Sequence, residues 1–464
     1  MKKEKIVFVE PEGSEYNVYS KFMKIPLLGP LYLATQARSA GYRCSVINEN
    51  ILRRKISETE LLDADILCLT CMTSTVTRGL AIGKQYKNLR TAHNLSSRTI
   101  IGGIHPSMLP DTLKNDFDCV VCGEGEMVLN NLLSDKSIKG VVQGRKVEDL
   151  DSLPIPDYSL IEGNPKLSIW PVMTSRGCPH SCNFCSVTKM FGQSYRAQSP
   201  QRVLEEIMAI RSGAVFFVDD NFAANRKRTH AIVDGMLKYK FRRPWSAQVR
   251  SDITRDFPLV KKMAIAGCRV VYVGLESVNP RSLDLMKKRQ KIEEVTKSIK
   301  LFRKAGIQVH GMFMLGNDPD TPEIFSTTSK FAKKAGLNFI QYNVLTPLPG
   351  TELFSLYEKD GRILHKNWQF YDGLHVVFKP SQMSPLALQK GMLSCFRSYY
   401  NYKSAMVEAY QSGLSALRSG INSSLFHHFF PSFMKVVGKS IIHSWERQNS
   451  SYLKYLQSES NYYT

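Results

Sequence analysis

Three cysteines set the chemistry this chain could do. Cys178, Cys182 and Cys185 lie in RGCPHSCNFCS, residues 176–186, with the spacing C-x3-C-x2-C. Three thiolates on one short loop can hold three irons of a 4Fe–4S cluster. The fourth iron is then left without a protein ligand, which lets a small molecule bind it directly. A zinc site would ask for four ligands, with paired C-x2-C or Cys/His spacing. His180 falls two residues after one cysteine and two before the next, a poor position for that fourth ligand. The spacing therefore points to an open iron–sulfur cluster.

Hydrophobic periodicity shows which elements must position that loop. PVMTS (171–175) is a predicted strand directly before it. Further strands follow at AVFFVDD (214–220), WSAQVR (245–250), CRVVYVGLES (268–277), IQVHGMFML (307–315) and LNFIQYNVL (337–345). Helical stretches near 200–211, 226–240, 256–266, 291–305 and 321–335 separate them. Six βα units in about 180 residues are too few for a closed eight-stranded barrel and predict an open, six-unit partial barrel. Functional groups are expected at the strand C-terminal ends.

Upstream, short apolar runs alternate with helix-length segments: IVFVEP, CSVINEN, ADILCLTCMTS, RTIIGGIHPS and FDCVVCGEGE. That rhythm predicts an α/β, doubly wound (Rossmann-like) parallel sheet, which binds ligands at its strand C-terminal ends. Those ends carry Cys71–Thr75, Gly102–Ser107 and Gly123–Glu126. The expected organisation is a Rossmann-like domain over 1–145, a linker over 146–170 with Pro154, Pro156 and Pro165, the partial barrel over 171–375, and a helical C-terminal region over 376–464. In that last region LFHHFFPSFMKVVGKSIIHSW (425–445) mixes aromatic and basic residues and suits a peripheral membrane contact or packing on its own protein. Pro431 is expected to interrupt any single long helix there.

At the cysteine motif, with Phe184 just before its last cysteine, the chain resembles the radical S-adenosylmethionine (SAM) superfamily. The resemblance covers roughly 170–375. It implies that the amino and carboxylate groups of SAM chelate the open iron, and that an electron from the cluster cleaves SAM to methionine and a 5′-deoxyadenosyl radical. By position, it places Asp219 and Asp220 at the SAM amino group, Gln248 and Arg250 at the end of the third strand with Arg250 toward the carboxylate, and Glu276 at the ribose. Met314–Gly316 would line the adenine. Asp219 and Asp220 could equally cap the helix that follows, and the apolar residues could simply pack.

The two halves together resemble the cobalamin-binding class of radical SAM enzymes, through the GGIHPS and CGEGE loops, the DDNF motif and TPLPGT (346–351). That resemblance implies cobalamin in the N-terminal domain, near Gly102, Gly103, His105, Gly123 and Glu124. The familiar D-x-H-x-x-G motif is absent: His93 and His105, the histidines before residue 150, are preceded two positions earlier by Thr91 and Gly103. Members with this architecture often bind cobalamin without a histidine ligand. The resemblance implies methyl transfer to an unactivated carbon of a small or lipid-like substrate. Alternatives are an oxidative cyclase acting on a tetrapyrrole-like molecule and a non-catalytic iron–sulfur sensor. An RNA methylthiotransferase with a second cluster on Cys44, Cys71 and Cys122 is a further one. Cys68-x2-Cys71 and Cys119-x2-Cys122 look like zinc pairs, but residues three apart on a strand point to opposite faces.

The 62 basic and 41 acidic residues leave a net charge of +21, spread over +3 in 1–150, +13 in 151–380 and +5 in 381–464. Such a surface favours anionic partners without naming one. No interleaved basic and aromatic strands suggest nucleic acid. Ten cysteines without an export signal are expected as thiols in a reducing, cytoplasmic setting. An electron donor such as flavodoxin or ferredoxin is the remaining partner the chemistry requires.

Overall fold

The computed structural model describes residues 4–17, 24–180, 182–288, 290–418 and 425–460. Six short strands form the first sheet: β1 (Lys5–Glu10), β2 (Arg43–Asn48), β3 (Ile66–Thr70), β4 (Thr99–Gly102), β5 (Cys119–Cys122) and β6 (Gly140–Gln143). Their order is β2-β1-β3-β4-β5-β6 and every pairing is parallel. The continuous apolar runs explain this, because a parallel strand covered by helices on both faces must be apolar on both. Neighbouring residues indeed enter separate cores: Ile100 belongs to the core that holds Leu31, Val46 and Leu132, Ile101 to the one that holds Val7, Ile82 and Tyr86. Strand order reverses between β1 and β3, so the crevice at their C-terminal ends is where this fold takes ligands.

The second half starts with β7 (Ile169–Val172). The predicted strand 171–175 breaks after Val172, and its last residue joins the short β8 (Ser175–Arg176), antiparallel to β9 (Arg196–Ala197). Then come β10 (Ala214–Phe217), β11 (Trp245–Val249), β12 (Cys268–Glu276), β13 (Gln308–Leu315) and β14 (Phe339–Val344). The order β14-β13-β12-β11-β10-β7 is a six-stranded, all-parallel open sheet with helices between successive strands, as the spacing predicts. Here burial alternates. Val271, Val273 and Leu275 of β12 are buried under the helices, whereas Val270, Tyr272 and Gly274 are half-buried on the inner side.

Residues 144–168, between β6 and β7, form a packed strap. Leu150, Leu153, Leu160, Ile161 and Leu167 are buried in the core of the first sheet. Beyond β14 the chain is mainly helical. Tyr400 of the segment after helix Pro385–Tyr399 covers the edge of β14, its hydroxyl donating to the Ile340 carbonyl at 2.6 Å and accepting from the Ile340 amide at 3.2 Å. An edge strand needs such cover. Contrary to expectation, the helix Leu425–Gln448 runs through Pro431. The proline forfeits a hydrogen bond to the preceding turn, a cost of about 3 kcal/mol in a helix interior. Tertiary packing offsets it: Phe430 lies 5.9 Å from Phe339, and Gly438 lets the helix approach Tyr400 so closely that a Cβ would meet its ring at 2.5 Å.

Candidate active site

The cysteine loop is closed at its base by the β8–β9 ladder. Gly177 turns the chain there with φ +84°, and a Cβ would stand 2.3 Å from the Ser194 carbonyl oxygen, so only glycine fits before Cys178. The loop's far side is pinned to the barrel. Asn183 Nδ2 donates to the Leu285 carbonyl at 3.0 Å, Phe184 packs on the barrel core, and the Cys185 amide donates to the Cys182 carbonyl at 3.2 Å. Cys178, Cys182 and Cys185 are all partly exposed. Among the described residues, no three His, Cys, Asp or Glu side chains gather around one point as ligands of a single ion would. A cubic cluster does not ask for that, since each thiolate takes a different iron. Burial pushes the Cys182 thiol up, while Lys288 and Arg250 pull it toward the thiolate. Three part-exposed thiols, one of them beside two cations, fit an anionic iron–sulfur cluster.

A cleft of about 520 Å³ opens beside the loop, lined by His180, Cys182, Arg250, Asp284, Lys287 and Lys288 among others. Its rim is predominantly basic, suited to a carboxylate. Glu276 ends β12 in the left-handed region, φ +60°, after a break in register between Gly274 and Glu276. A non-glycine residue there is strained, which a functional side chain often is. Its carboxylate accepts from Lys288 Nζ at 2.7 Å, and a Cβ on Gly274 would meet both groups. Glu276 and Arg250 are thus both brought to the cysteine loop, and Lys288 joins them. The sequence reading missed Lys288, which is one cation in the run KKRQK and carries no signal of its own.

The two aspartates part company. Asp219 is buried and satisfied: its Oδ1 accepts from the Thr174 amide at 2.7 Å and the Ser175 amide at 2.6 Å, its Oδ2 from the Thr174 hydroxyl at 2.6 Å. It fixes the end of the first barrel strand and is not presented to a ligand, a correction to its expected place at the SAM amino group. Asp220 is exposed at the mouth, and crowding by the protein together with the Asp219 charge pushes its carboxyl up to about 6. Neither caps the following helix, because Asn225 does, accepting from the Arg228 amide. Gln248 and Met314 both sit half-buried on the inner face of the sheet, with Phe216, Tyr272, Met312 and Asn343.

At the N-terminal sheet, Gly103 has φ +103° and its backbone lies against Cys71, where a Cβ would stand 2.6 Å from the carbonyl oxygen. Gly102 closes β4. Ser107 ties the two predicted loops together, donating to the Gly103 carbonyl at 2.7 Å and accepting from the Gly123 amide at 2.9 Å. His105 is buried, edge-on to Trp368 at 5.3 Å, and its Nδ1 has no hydrogen-bond partner among the described residues. Burial pushes its imidazole down to about 4, so it is neutral. An open Gly123, a glycine turn at 102–103 and an orphaned buried nitrogen fit a bound cofactor at these strand ends.

Glu124 is a correction. Expected among the cofactor ligands, it is committed to two arginines of the other domain. Arg176 Nη1 donates to its Oε2 at 2.7 Å and Arg196 pairs with both its oxygens, while Arg176 Nη2 reaches Glu126 at 2.6 Å. All four side chains are buried. Arg176 opens the cysteine motif, two residues before Cys178. These pairs join the C-terminal end of β5 to the base of the cysteine loop. Nearby, Gly350 of TPLPGT packs on Met108, just beyond β4. The C-terminal rims of the two sheets therefore face each other.

The second-cluster reading fails on geometry. Of its cysteines Cys44, Cys71 and Cys122, Cys71 is buried on one face of the first sheet and Cys44 lies on the other, beside Cys68 and Cys119, while Cys122 ends β5. The Cys68 and Cys71 pair splits as strand alternation requires. Burial pushes the thiols of both up.

Two family models match the chain: B12 binding domain over residues 23–133 and Radical SAM superfamily over 172–332. The chain carries a B12-binding domain followed by a radical SAM domain. It is 29% identical over 411 residues to the "uncharacterized methyltransferase PH0819" of Pyrococcus horikoshii, covering 81% of this chain and 88% of that one. It is 26% identical over 348 residues to bacteriochlorophyllide d C-12(1)-methyltransferase of Chlorobaculum tepidum, covering 70% and 75%. The fold is that of the cobalamin-dependent radical SAM enzyme OxsB, with TM-score 0.65 over 97% of this chain and 76% of that one at 16% identity. The cofactors of this radical SAM protein are a 4Fe–4S cluster, SAM and cobalamin.

Proposed function

We propose that this radical SAM protein transfers a methyl group to an unactivated carbon of a small, largely apolar molecule, lipid-like or tetrapyrrole-like. The observation that carries the reading is the meeting of the two sheet rims across Arg176, Glu124 and Glu126, with Gly350 on Met108. Groups held at β3–β5 thereby face groups held at the barrel mouth. When bound, the cluster and SAM supply a hydrogen-atom abstractor, and cobalamin a transferable methyl group. Cys178, Cys182 and Cys185 hold the irons. Arg250 and Lys288 receive the SAM carboxylate at the basic rim, Asp220 its ammonium, and Glu276 its ribose. Gly102, Gly103, His105 and Gly123 line the cobalamin side. Phe216, Tyr272, Met312 and Met314 keep water from the reacting carbon, which a radical step requires. The methyltransferase names of the relatives support the same choice.

The test is anaerobic: reconstituted protein, hydroxocobalamin, reductant, SAM and a cell extract, followed by mass spectrometry. Methyl transfer yields 5′-deoxyadenosine and S-adenosylhomocysteine together, with label from SAM in the product. Deoxyadenosine alone would replace methyl transfer by an oxidative cyclisation, and neither product would overturn both.

A further inference from the structure

The two helices Tyr402–Arg418 and Leu425–Gln448 pack on each other as a hairpin against the base of the barrel. Their contact sides are ordinary core. Ala405, Ile442 and Trp445 are buried, and Glu408 accepts from Lys435 Nζ at 3.0 Å across the hairpin. Their outer sides are not ordinary. Tyr402, Met406 and Tyr410 recur every fourth residue of the first helix, and Met406 and Tyr410 are 69% and 70% exposed. Phe429, Phe433 and Val436 recur at spacings of four and three on the second, with Phe433 61% exposed. Such spacings put each trio on one helix face. The Glu408–Lys435 pair and Lys439, whose Nζ lies 3.9 Å from the centre of the Tyr402 ring, fix a register that sets the two stripes side by side. Contiguous exposed apolar surface of this kind marks an interaction site.

Charge selects the occupant. The acids of the hairpin are neutralised internally, Glu408 by Lys435 and Glu446 by Arg397. Lys403 and Lys439 remain exposed at the border of the stripes, within a segment of eight basic and three acidic residues. A positive, aromatic-rich amphipathic face complements an anionic bilayer, with Tyr, Phe and Met entering the headgroup boundary and lysines meeting lipid phosphates. No helix among the described residues is long and apolar enough to cross a membrane, so the hairpin would lie on it. A second copy of a chain carrying +21 meets its own like charge.

We propose that the face formed by Tyr402, Met406, Tyr410, Phe429, Phe433 and Val436 docks the protein on anionic lipid bilayers. The experiment is flotation of the full reconstituted chain with phosphatidylcholine vesicles, with and without about one third phosphatidylglycerol. The expected result is co-flotation with the anionic vesicles only, weakened by salt. Met406→Asp with Phe433→Asp should lower vesicle binding about tenfold or more, since two apolar anchors are lost. That variant's melting temperature and cluster absorption should match wild type, which excludes misfolding. A wild-type chain that stays with the soluble fraction overturns the proposal, as does binding that the double variant leaves unchanged. Concentration-dependent dimerisation abolished by the same substitutions would overturn it in favour of a second copy. Flotation needs no turnover, so its failure is separable from failure of the methyl-transfer assay.

Discussion

The two parallel sheets of this molecule use the same topology of strand and helix for opposite ends. In the first, consecutive residues such as Ile100 and Ile101 enter two different cores, and the sheet is sealed on both faces. Ligands can reach it only at the strand ends, where Gly102, Gly103 and Gly123 stand. In the second, one face is sealed and the other is held half-open by the curvature of an incomplete barrel. Phe313 of β13 is buried under helices, while Met312 and Met314 on either side of it look inward. The lesson is that the alternation of a strand tells where its chemistry is done. A continuous apolar run leaves only the rim; an alternating one offers a lined chamber as well.

The hardest break of that comparison is at the barrel's rim. Cys182→Ala should abolish the visible absorption of the cluster and all SAM cleavage, while the chain stays folded, because no core residue is touched. Absorption spectra and 5′-deoxyadenosine assays read this directly, and full activity in the variant would remove the cysteine assignment.

The next break is in the sheets themselves. Ile100→Ala and Ile101→Ala should each cost about 2–5 kcal/mol, since both empty a packed core. In the second sheet the neighbours should differ: Phe313→Ala costs about 3–5 kcal/mol, whereas Met312→Ala falls below about 2 kcal/mol because its site is already partly open. Met312→Ala should instead change the turnover of SAM. Denaturant unfolding of the four variants checks the pattern, and an equal loss at Met312 and Phe313 would mean that the inner face is also sealed.

A smaller effect tests the strained residue at the chamber mouth. Glu276→Gln should keep the cluster and the Lys288 neighbourhood yet weaken SAM binding about tenfold, roughly the 1.4 kcal/mol of one charged contact. Equilibrium binding with SAM, alongside the cluster spectrum, separates the two. Unchanged affinity would assign Glu276 to positioning Lys288 rather than to the ligand.

Much of this architecture could be read from the chain because local pattern and tertiary role agree. Strand periods, Gly and Asn stops and the cysteine spacing each report a short-range constraint. The roles of Asp219, Glu124 and Lys288 could not be read that way. Each is set by a partner 12 to 52 residues distant, Lys288 for Glu276 and Arg176 for Glu124, with Thr174 for Asp219 between these extremes. A carboxylate at a strand end looks the same in sequence whether it waits for a ligand or braces a loop. Pro431 misled for the reverse reason: its local rule holds, but packing along the barrel outweighs it.

The last break lies at the seam between the two regions. Glu206, on the helix Pro200–Ala209, is 2% exposed, with Tyr32 of the first domain, Arg202 and Gln198 around it. Burial pushes its carboxyl up from 4.5 to about 8. The folded chain therefore keeps a proton that the unfolded chain releases above about pH 4.5, so this group's contribution to stability is lost as pH rises toward about 8 and is full below that window. Glu206→Gln holds the neutral form at every pH. The difference in unfolding free energy between variant and wild type should then grow in favour of the variant from about pH 5 to about pH 8, with at most one proton's slope. Comparing the two chains cancels the opposite slopes of neutral buried histidines such as His105 and His310, whose imidazoles are held near 4. A flat difference would show that Glu206 is ionised at neutral pH, and that Arg202 then closes the seam as an ion pair.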